Sequence, residues 1–303
     1  MQRVAIRNPM SVTASSCSEG AEMQHAVAAR EFSFTRKDFD FLRRLSNAHT
    51  GIVVGDEKFD MFYSRLARRV RALGLPSFSS YCDYIASGSD PGETVRLINA
   101  VTTNLTAFFR ENHHFEYLRD HAIPGRLQAN DGDRRLRLWS AGCSTGEESY
   151  SLAMTLGEMQ RELLGWQVDI SATDIDSDVL ETAGQGVYSS DLVSALPESR
   201  LHRWFMKGTG AQQGKVRVKR ELREAVDFQQ LNLMKPWHQV AQDIIFCRNV
   251  IIYFDQESKA RLIDRFAEAL KPGGFLFVGH SESLTQLSQR FEMVGKTVYR
   301  KVR

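Results

Sequence analysis

The segment from residue 134 to residue 176 constrains the possible folds more than any other part of the chain. Residues 136–139 are typical of a buried strand, and a loop containing two glycines follows at 142–146. An apolar helical pattern comes next, and a second predicted strand ends at Asp174. Strand, glycine-containing loop, helix and strand form a βαβ unit. Its first loop lies at the carboxyl end of the strands, where open α/β sheets bind ligands.

The rest of the chain after this unit alternates in the same way. Further strands are predicted at 226–228, 243–247 and 275–278, a helix at 258–270, a turn at 271–274 and a closing hairpin at 291–300. This alternation predicts a mostly parallel sheet with helices on both faces. The stretch 187–225 breaks the rhythm, and it predicts a small inserted subdomain of short antiparallel strands.

The chain before the βαβ unit has a different character. Thr35, followed three residues later by Asp38, is typical of a helix N-cap. Apolar residues at helical spacing predict further helices at 59–73, 78–85 and 93–109. Residues 1–30 are rich in Ser, Ala and Gln and predict a mostly disordered tail.

Composition excludes several classes of protein. The chain of 303 residues has a formal net charge of only +2, which gives no global attraction to nucleic acid or to a membrane. No apolar run approaches the ~20 residues that span a bilayer. The four cysteines form no C-x-x-C pair, which favours reduced thiols in the cytoplasm. The eight histidines include no H-E-x-x-H, so we expect no metal.

The predicted loop at 142–146 favours a positively charged nucleoside ligand. Glu147 and Glu148 start the following helix, either within a capping box with Ser144 or Thr145 or as simple caps. Carboxylates there compete with a phosphate for the positive helix end, and no full G-x-G-x-x-G or P-loop is present. S-adenosylmethionine carries a sulfonium and an amino group and no phosphate. Asp174 is placed to accept hydrogen bonds from ribose hydroxyls.

Three alternatives remain open at this point. The acidic residues could merely cap a helix and a turn. Gly142-x-Ser144-x-Gly146 also matches the nucleophile elbow of α/β-hydrolases, with Asp243 and His280 as partners. The helix-starting glutamates would then place negative charge beside the oxyanion, and no H-G-G-G-type segment precedes the loop. A non-catalytic binding module would tolerate the loss of polar residues around the pocket.

Two segments of the chain carry highly specific motifs, Asn-x-Thr-x-Phe-Phe-Arg at 104–110 and Cys-Arg-Asn-Val-x-Ile-Tyr-Phe at 247–254. With several further segments, they resemble the CheR family, the chemotaxis receptor glutamate methyltransferases. The segments at 139–151, 172–176, 270–274 and 279–283 also match, and the resemblance covers roughly residues 32–300. At the first loop, Cys143 stands where small residues such as alanine are common, and it is compatible as a small hydrophobe.

The resemblance implies a class I S-adenosylmethionine-dependent methyltransferase domain, Rossmann-like and α/β, preceded by an all-helical N-terminal domain. The implied boundaries are 31–100 for the helical domain, 101–114 for a linker that helps to cover the cofactor, and 115–303 for the methyltransferase domain, with the β-subdomain inserted at about 187–225. The implied cofactor contacts are Asn104, Thr106, Arg110, Glu147, Asp174, Asn232, Leu233, Cys247, Arg248 and Asn249.

The implied reaction transfers the methyl group of S-adenosylmethionine to a glutamate carboxylate, giving a methyl ester and S-adenosylhomocysteine. Glutamate is ionised at neutral pH, with an ordinary pKa of about 4.3, so no general base is needed. Arg110 and Tyr253 are the candidates for holding the carboxylate, through a guanidinium fork and a phenol hydrogen bond. Without the resemblance, Arg110 could simply cap a helix and Tyr253 could belong to the core.

The implied partner is the cytoplasmic region of chemotaxis receptors. Arg65, Arg68 and Arg69 recur at i, i+3 and i+4, so they form either a solvated face or a patch for acidic receptor helices. The inserted β-subdomain could also dock a C-terminal receptor peptide as an added strand, although its glycines fit ordinary turns equally well. We expect a cytoplasmic monomer that neither binds nucleic acid nor inserts into a membrane.

Overall fold

The structure is a computed structural model that describes residues 30–129 and 132–302. The predicted disordered tail therefore lies outside the described residues, except for its last position. All elements below belong to Phe32–Arg303.

Four helices open the described part of the chain. They are α1 (Arg36–Thr50), α2 (Phe59–Ala72), α3 (Phe78–Ala86) and α4 (Pro91–Val101). The predicted N-cap at Thr35 is confirmed, and it forms a capping box, because the Thr35 and Asp38 side chains each accept from the other residue's backbone N–H. The apolar sides of these helices bury a core around Phe39, Phe62 and Tyr81, each with no exposed surface.

The remaining α-helices of the described residues surround or connect the strands. They are α5 (His113–Tyr117), α6 (Ile123–Ala129), α7 (Glu147–Glu158), α8 (Ser177–Gln185), α9 (Glu198–Trp204), α10 (Arg220–Glu224) and α11 (Gln256–Ala269). The strands are β1 (Arg135–Ala141), β2 (Gln167–Asp174), β3 (Val187–Ser189), β4 (Phe205–Lys207), β5 (Lys215–Val218), β6 (Val226–Gln230), β7 (Gln242–Cys247), β8 (Leu270–Val278), β9 (Phe291–Gly295) and β10 (Val298–Lys301).

Seven of the described strands form one sheet in the order β6-β2-β1-β7-β8-β10-β9. The first five in this order are parallel, and β10 and β9 add an antiparallel edge. A second sheet, in the order β3-β5-β4, is antiparallel and lies within the predicted insertion. The predicted α/β architecture with an inserted antiparallel subdomain is confirmed.

Side chains of the central strands alternate between two cores, because successive strand residues point to opposite faces. Leu138 and Phe246 belong to the core on one face, whereas Trp139 and Ile245 belong to the core on the other. The sheet is thus covered by an apolar core on each face.

Two predicted element boundaries were wrong. The helix predicted at 93–109 ends at Val101, since Thr102 has an extended backbone with φ −62° and ψ 149°. The segment predicted as a turn at 271–274 lies within β8, which pairs with β7 through an irregular register. In both places a contact distant in sequence determines the backbone, which local patterns do not encode.

Candidate active site

A cavity of about 330 Å³ opens at the carboxyl ends of the parallel strands. Loops after β1, β2, β6 and β7 line its floor, and the chain between α4 and α5 lines one side. The segment joining α1 to α2 lies over another side. Its Val53 N–H donates to the carbonyl of Tyr253 at 2.8 Å, and Ile52 forms a β-bridge with Phe254. The cavity therefore lies where open α/β sheets bind ligands.

The loop after β1 depends on glycine at its first position. Gly142 has a φ of 86°, in the left-handed region that glycine adopts without strain. A Cβ atom there would lie 2.4 Å from a methyl group of Val250. The loop backbone therefore approaches the loop after β7 more closely than any other residue would permit.

Asp174 at the end of β2 holds this loop in place. Its Oδ2 accepts from the Ser144 N–H at 2.8 Å, and its Oδ1 accepts from the Asp176 N–H at 3.0 Å. Burial raises the pKa of Asp174, against the effect of these hydrogen bonds. A carboxylate oxygen has a second lone pair, so Asp174 can still accept a hydrogen bond from a ligand in the cavity.

The predicted capping box at the start of α7 was wrong. Gly146 is the N-cap residue, with a φ of 95° and no side-chain cap. The candidate hydroxyls serve other partners: Ser144 donates to the carbonyl of Asn104, and Thr145 donates to Glu147 Oε2 at 2.7 Å. Glu148 turns the other way and accepts from the Ser140 hydroxyl, also at 2.7 Å. The two glutamates thus face different surroundings.

Asp176 fixes the extended chain that follows α4. This residue is only 1% exposed, and its Oδ2 accepts from Thr102 Oγ1 at 2.6 Å and from Asn104 Nδ2 at 2.7 Å. Its Oδ1 caps α8 by accepting from the Asp178 N–H at 2.9 Å. One carboxylate therefore ties the side of the cavity to the end of β2, a role that the sequence did not reveal.

Arg248 lies buried beneath the cavity and joins three segments. Its guanidinium contacts Glu148 Oε2 at 3.1 Å and Glu111 Oε2 at 3.3 Å, and it donates to the carbonyl of Arg110. Burial raises the pKa of Glu148 despite the charge of Arg248. Burial together with the same charge lowers the pKa of His114 to about 3, so this ring is neutral at neutral pH.

Glu282 shapes the loop after β7 from the opposite side. Its two carboxylate oxygens accept from the N–H groups of Asn249 at 2.9 Å and Ile252 at 3.1 Å, and also from Gly279. Asn249 adopts a left-handed φ of 58° between these contacts. Glu282 is 5% exposed and was missed as a site residue, although its segment matched the family.

Most of the predicted site residues gather at this cavity. Those among its lining are Asn104, Thr106, Arg110, Asp174, Asn232, Leu233, Arg248, Asn249 and Tyr253. Glu147 and Cys247 are buried and do not line it, whereas Glu148 does. Asn104 and Asn232 direct their amide nitrogens to protein partners, Asp176 and the carbonyl of His49. Contact of any of these residues with a cofactor stays a prediction.

The two candidates for holding the carboxylate lie on the same cavity. Arg110 donates one hydrogen bond, from Nη1 to the carbonyl of Leu105 at 2.9 Å, and its remaining N–H groups have no side-chain partner among the described residues. The Tyr253 hydroxyl likewise has no hydrogen-bond partner there. Both groups can therefore donate to a ligand.

The three arginines predicted for substrate recognition do not form one exposed patch. Arg69 pairs bidentately with Glu93 at 2.9 and 2.6 Å, and the Glu93 carboxylate is fully buried. Arg65 donates to a carbonyl at the end of α4 at 3.1 Å. Arg68 alone of the three is exposed and without a side-chain partner in the described chain. The sequence could not show which of the three turns inward.

The hydrolase alternative is not supported by this geometry. Asp243 lies at the beginning of β7, whereas Ser144 follows the end of the neighbouring parallel strand β1, so the two lie at opposite ends of the strands. Asp243 Oδ1 accepts from Arg126 Nε at 3.0 Å. His280 contacts Glu111 Oε1 at 3.0 Å. The three residues therefore do not assemble into a triad. Among the described residues, no helix combines the length and the apolarity that a membrane span needs.

Comparison with known proteins agrees with the site. The family model described as the CheR methyltransferase SAM binding domain matches residues 104–300, and the CheR all-alpha domain matches 37–102. The Chemotaxis protein methyltransferase of Escherichia coli (strain K12) is 45% identical over 281 residues, covering 92% of this chain and 93% of that protein.

Two further relatives extend the comparison. Chemotaxis protein methyltransferase 2 of Pseudomonas aeruginosa is 45% identical over 272 residues, covering 89% of this chain and 95% of that protein. The Chemotaxis protein methyltransferase of Salmonella typhimurium is 43% identical over 281 residues, covering 92% of this chain and 93% of that protein. With both family models and these relatives spanning nearly all of its described length, the chain belongs to the CheR family of S-adenosylmethionine-dependent methyltransferases.

Proposed function

We propose that this enzyme transfers the methyl group of S-adenosylmethionine to glutamate side-chain carboxylates of chemotaxis receptors, and so acts in chemotactic adaptation. The observation that carries the proposal is the convergence of Arg110 and Tyr253, each with a donor that no described side chain uses, on a cavity that the Asp174 carboxylate also lines. The Asp174 carboxylate suits the cationic methyl donor, and the donors of Arg110 and Tyr253 suit a carboxylate acceptor.

The residues of the cavity fit S-adenosylmethionine. Asp174 and Glu148 line it. Glu147 and Glu148 occupy the first turn of α7, where a helix that binds phosphate would leave its N-terminus open to the anion. Its volume of about 330 Å³ falls within the range for small-molecule sites. When bound, this cofactor supplies an electrophilic methyl group on a sulfonium. Asp174 would hold the ribose end, and the residues at 104–110 would cover the ligand.

Arg110 and Tyr253 would orient the acceptor. A guanidinium binds a carboxylate through two parallel N–H donors, and a phenol adds one directed hydrogen bond. Together they fix the position of an oxygen that is already ionised, so the protein removes no proton. Positioning of this kind lowers the barrier by several kcal/mol. Glu282 and Asp176 would act indirectly, by holding the loop after β7 and the chain after α4.

Water exclusion would add to the rate. A carboxylate and a sulfonium lose their charge as the ester forms, so bulk water stabilises the reactants more than the transition state. The segment between α1 and α2 covers the site through Val53 and Ile52. Val53 is 52% exposed, Leu105 is 82% exposed, and both line the cavity. We infer that the receptor helix completes the enclosure against these apolar side chains.

The recognition surfaces belong to the same proposal. Arg68 is the basic side chain of α2 that is available to an acidic receptor helix, where it would speed encounter more than fix affinity. The outer strands β3 and β4 of the small sheet each have one unpaired edge among the described strands. A C-terminal receptor peptide could add there as a further strand. We further propose a cytoplasmic monomer, and domain boundaries at residues 100 and 114.

Calorimetric titration with S-adenosylhomocysteine tests the cofactor site. We expect saturable binding with one ligand per chain. Methylation of isolated receptor cytoplasmic fragments then tests the activity, with Arg110→Ala as the variant. We expect that variant to bind S-adenosylhomocysteine and to lose most of its turnover, with Arg110→Lys recovering little because an ammonium lacks the planar fork. Near-normal turnover of Arg110→Ala would remove that residue from the proposed site.

A further inference from the structure

A second polar cluster lies below the cavity and has no role in the proposed reaction. It consists of Glu111, His113 and His114, where the chain turns into α5. One oxygen or nitrogen atom from each residue lies within 4.8 Å of those from the other two. None of the three residues lines the cavity.

The hydrogen bonds of His114 determine which ring nitrogen carries its proton. The side chain is fully buried, and its Nε2 lies 3.2 Å from the carbonyl oxygen of Lys296 and 2.9 Å from Thr297 Oγ1. The carbonyl can only accept, and the Thr297 hydroxyl donates its own hydrogen to that same carbonyl at 2.8 Å. Nε2 of the neutral ring therefore carries the hydrogen, and Nδ1 carries a lone pair.

That lone pair faces a second acceptor. His114 Nδ1 lies 3.5 Å from Glu111 Oε2. The nitrogen has no hydrogen-bond partner among the described residues, and the oxygen forms an ion pair with Arg248 Nη2 at 3.3 Å. His113 Nε2 is also buried without a partner. Two acceptor atoms at this distance repel each other unless a cation or a hydrogen-bond donor lies between them. Two buried ring nitrogens without partners, beside a carboxylate oxygen, favour a bound ligand, because leaving such groups unpaired is costly.

We propose that Glu111, His113 and His114 bind a divalent transition-metal ion of the zinc class. Two imidazole nitrogens and one carboxylate oxygen form a donor set typical of zinc. Ligands at bond lengths of about 2.0 Å around a tetrahedral ion lie about 3.3 Å apart, close to the 3.5 Å separating Glu111 Oε2 from His114 Nδ1. A small rotation of the half-buried His113 brings in the third ligand, and water would supply the fourth.

The surroundings match those of metal ligands. A ligating histidine usually donates its other N–H to a backbone carbonyl, as His114 does to Lys296. The second oxygen of Glu111 contacts His280 Nδ1 at 3.0 Å, which orients the carboxylate. The nearest cation, Arg248, pairs with Glu148 at 3.1 Å and with Glu111 Oε2 itself at 3.3 Å, so two carboxylates balance its charge and Glu111 would be shared between Arg248 and the ion. Because Glu111 follows Arg110 directly, the ion would anchor that end of the chain to the turn between β9 and β10.

Titration of the chelator-treated protein with Zn²⁺ tests this site, with Co²⁺ as a spectroscopic substitute. We expect one Zn²⁺ per chain, an absorption spectrum of tetrahedral Co²⁺, and a rise in the unfolding temperature with Zn²⁺. His113→Ala and Glu111→Gln should weaken binding at least ten-fold and abolish that rise. His202→Ala is the matched control, since that side chain is 76% exposed and its Nε2 lies 3.3 Å from Glu198 Oε1.

The possible outcomes separate this site from the proposed function. Titration with S-adenosylhomocysteine shows whether His113→Ala remains folded, because His113 does not line the cavity. Circular dichroism is the folding control for Glu111→Gln, because Glu111 contacts the cavity-lining Arg248. Zn²⁺ binding that is absent, or equal in the native protein and both variants, would overturn the proposal. Absent binding would mean that a trapped water is the ligand of these atoms. Equal binding in the native protein and both variants would mean that Zn²⁺ binds elsewhere. Failure of methyl transfer with intact, cluster-dependent Zn²⁺ binding would count against the enzyme function alone.

Discussion

Asp176→Asn tests whether the chain after α4 must be tied to β2 for the cofactor to bind. One oxygen of this carboxylate serves Thr102 and Asn104, and the other caps α8. An asparagine amide keeps one oxygen and replaces the other with a donor. Asparagine caps a helix about as well as aspartate, so α8 keeps its start when the oxygen faces the helix. The new NH₂ group then faces the Asn104 amide, donor against donor.

The expected cost follows from these contacts. The Thr102 hydroxyl can rotate to accept from the new NH₂ group, but the Asn104 nitrogen cannot. The variant therefore loses about one hydrogen bond to a charged group, worth about 2 kcal/mol. If the ligand binds only when the chain at 102–107 is in place, its affinity falls by the same free energy. Because about 1.4 kcal/mol corresponds to a factor of ten, we expect about 30-fold weaker binding.

Calorimetry with S-adenosylhomocysteine measures this change. Asp178→Asn is the matched control, because that exposed carboxylate lies two residues further on and accepts from Asn99 at 2.9 Å without touching the chain after Val101. We expect the control to bind as the native protein does. An Asp176→Asn protein whose affinity lies within threefold of that control would refute the coupling between this chain and the cofactor site.

Three further predictions concern the loop, the helical surface and pH. Gly142→Ala should abolish cofactor binding, because its Cβ would lie 2.4 Å from a neighbouring methyl group. Gly74→Ala is the control: its φ is +65° and nothing lies within 4 Å of the added Cβ, so it should lower stability only slightly. Equal effects of the two variants on cofactor affinity would refute the steric reason. Arg68→Glu should slow receptor methylation without changing the unfolding temperature. Arg69→Glu should destabilise the protein by about 3 kcal/mol, because it removes an ion-pair partner from the buried Glu93 carboxylate. The reverse pattern in methylation and thermal-unfolding assays would contradict this assignment. Burial raises the pKa of Asp174, so lowering the pH should protonate this carboxylate, and weaken the binding of S-adenosylmethionine, at a pH above the ordinary aspartate pKa of about 3.9. The same protonation should stabilise the unliganded fold relative to the unfolded chain. If the Asp174→Asn variant shows the same dependence of affinity on pH as the native protein, Asp174 is not the group responsible.

The strands and the large helices could be predicted because their signals are local. Apolar runs, helical spacing and glycine-containing loops lie within single elements, and each predicted strand of the main sheet is present within a few residues of its expected bounds. The end of the sheet that holds the site also followed, since parallel strands place their carboxyl ends together. Local signals therefore located the cavity through Asp174 and the loop after β1.

The polar contacts inside the site could not be predicted in this way. Arg248 pairs with Glu148 across a separation of 100 residues, and Asn249 is held by Glu282 across 33. From the sequence around them, Glu148 and Glu282 could each equally well be exposed to solvent. Only the folded arrangement shows that these carboxylates are buried and fully engaged. The same reason explains why Glu147, rather than Glu148, was expected at the cavity.

The chain after α4 shows most clearly how a distant contact overrides a local preference. Apolar residues continue at helical spacing to Phe109, and they predicted a helix up to that point. Thr102, Thr103 and Asn104 are weak helix formers, each costing about half a kcal/mol relative to alanine. Hydrogen bonds from Thr102 and Asn104 to the buried Asp176 carboxylate are each worth about 1.5 kcal/mol or more. The helix therefore ends at Val101, and the extended segment becomes available to cover a ligand.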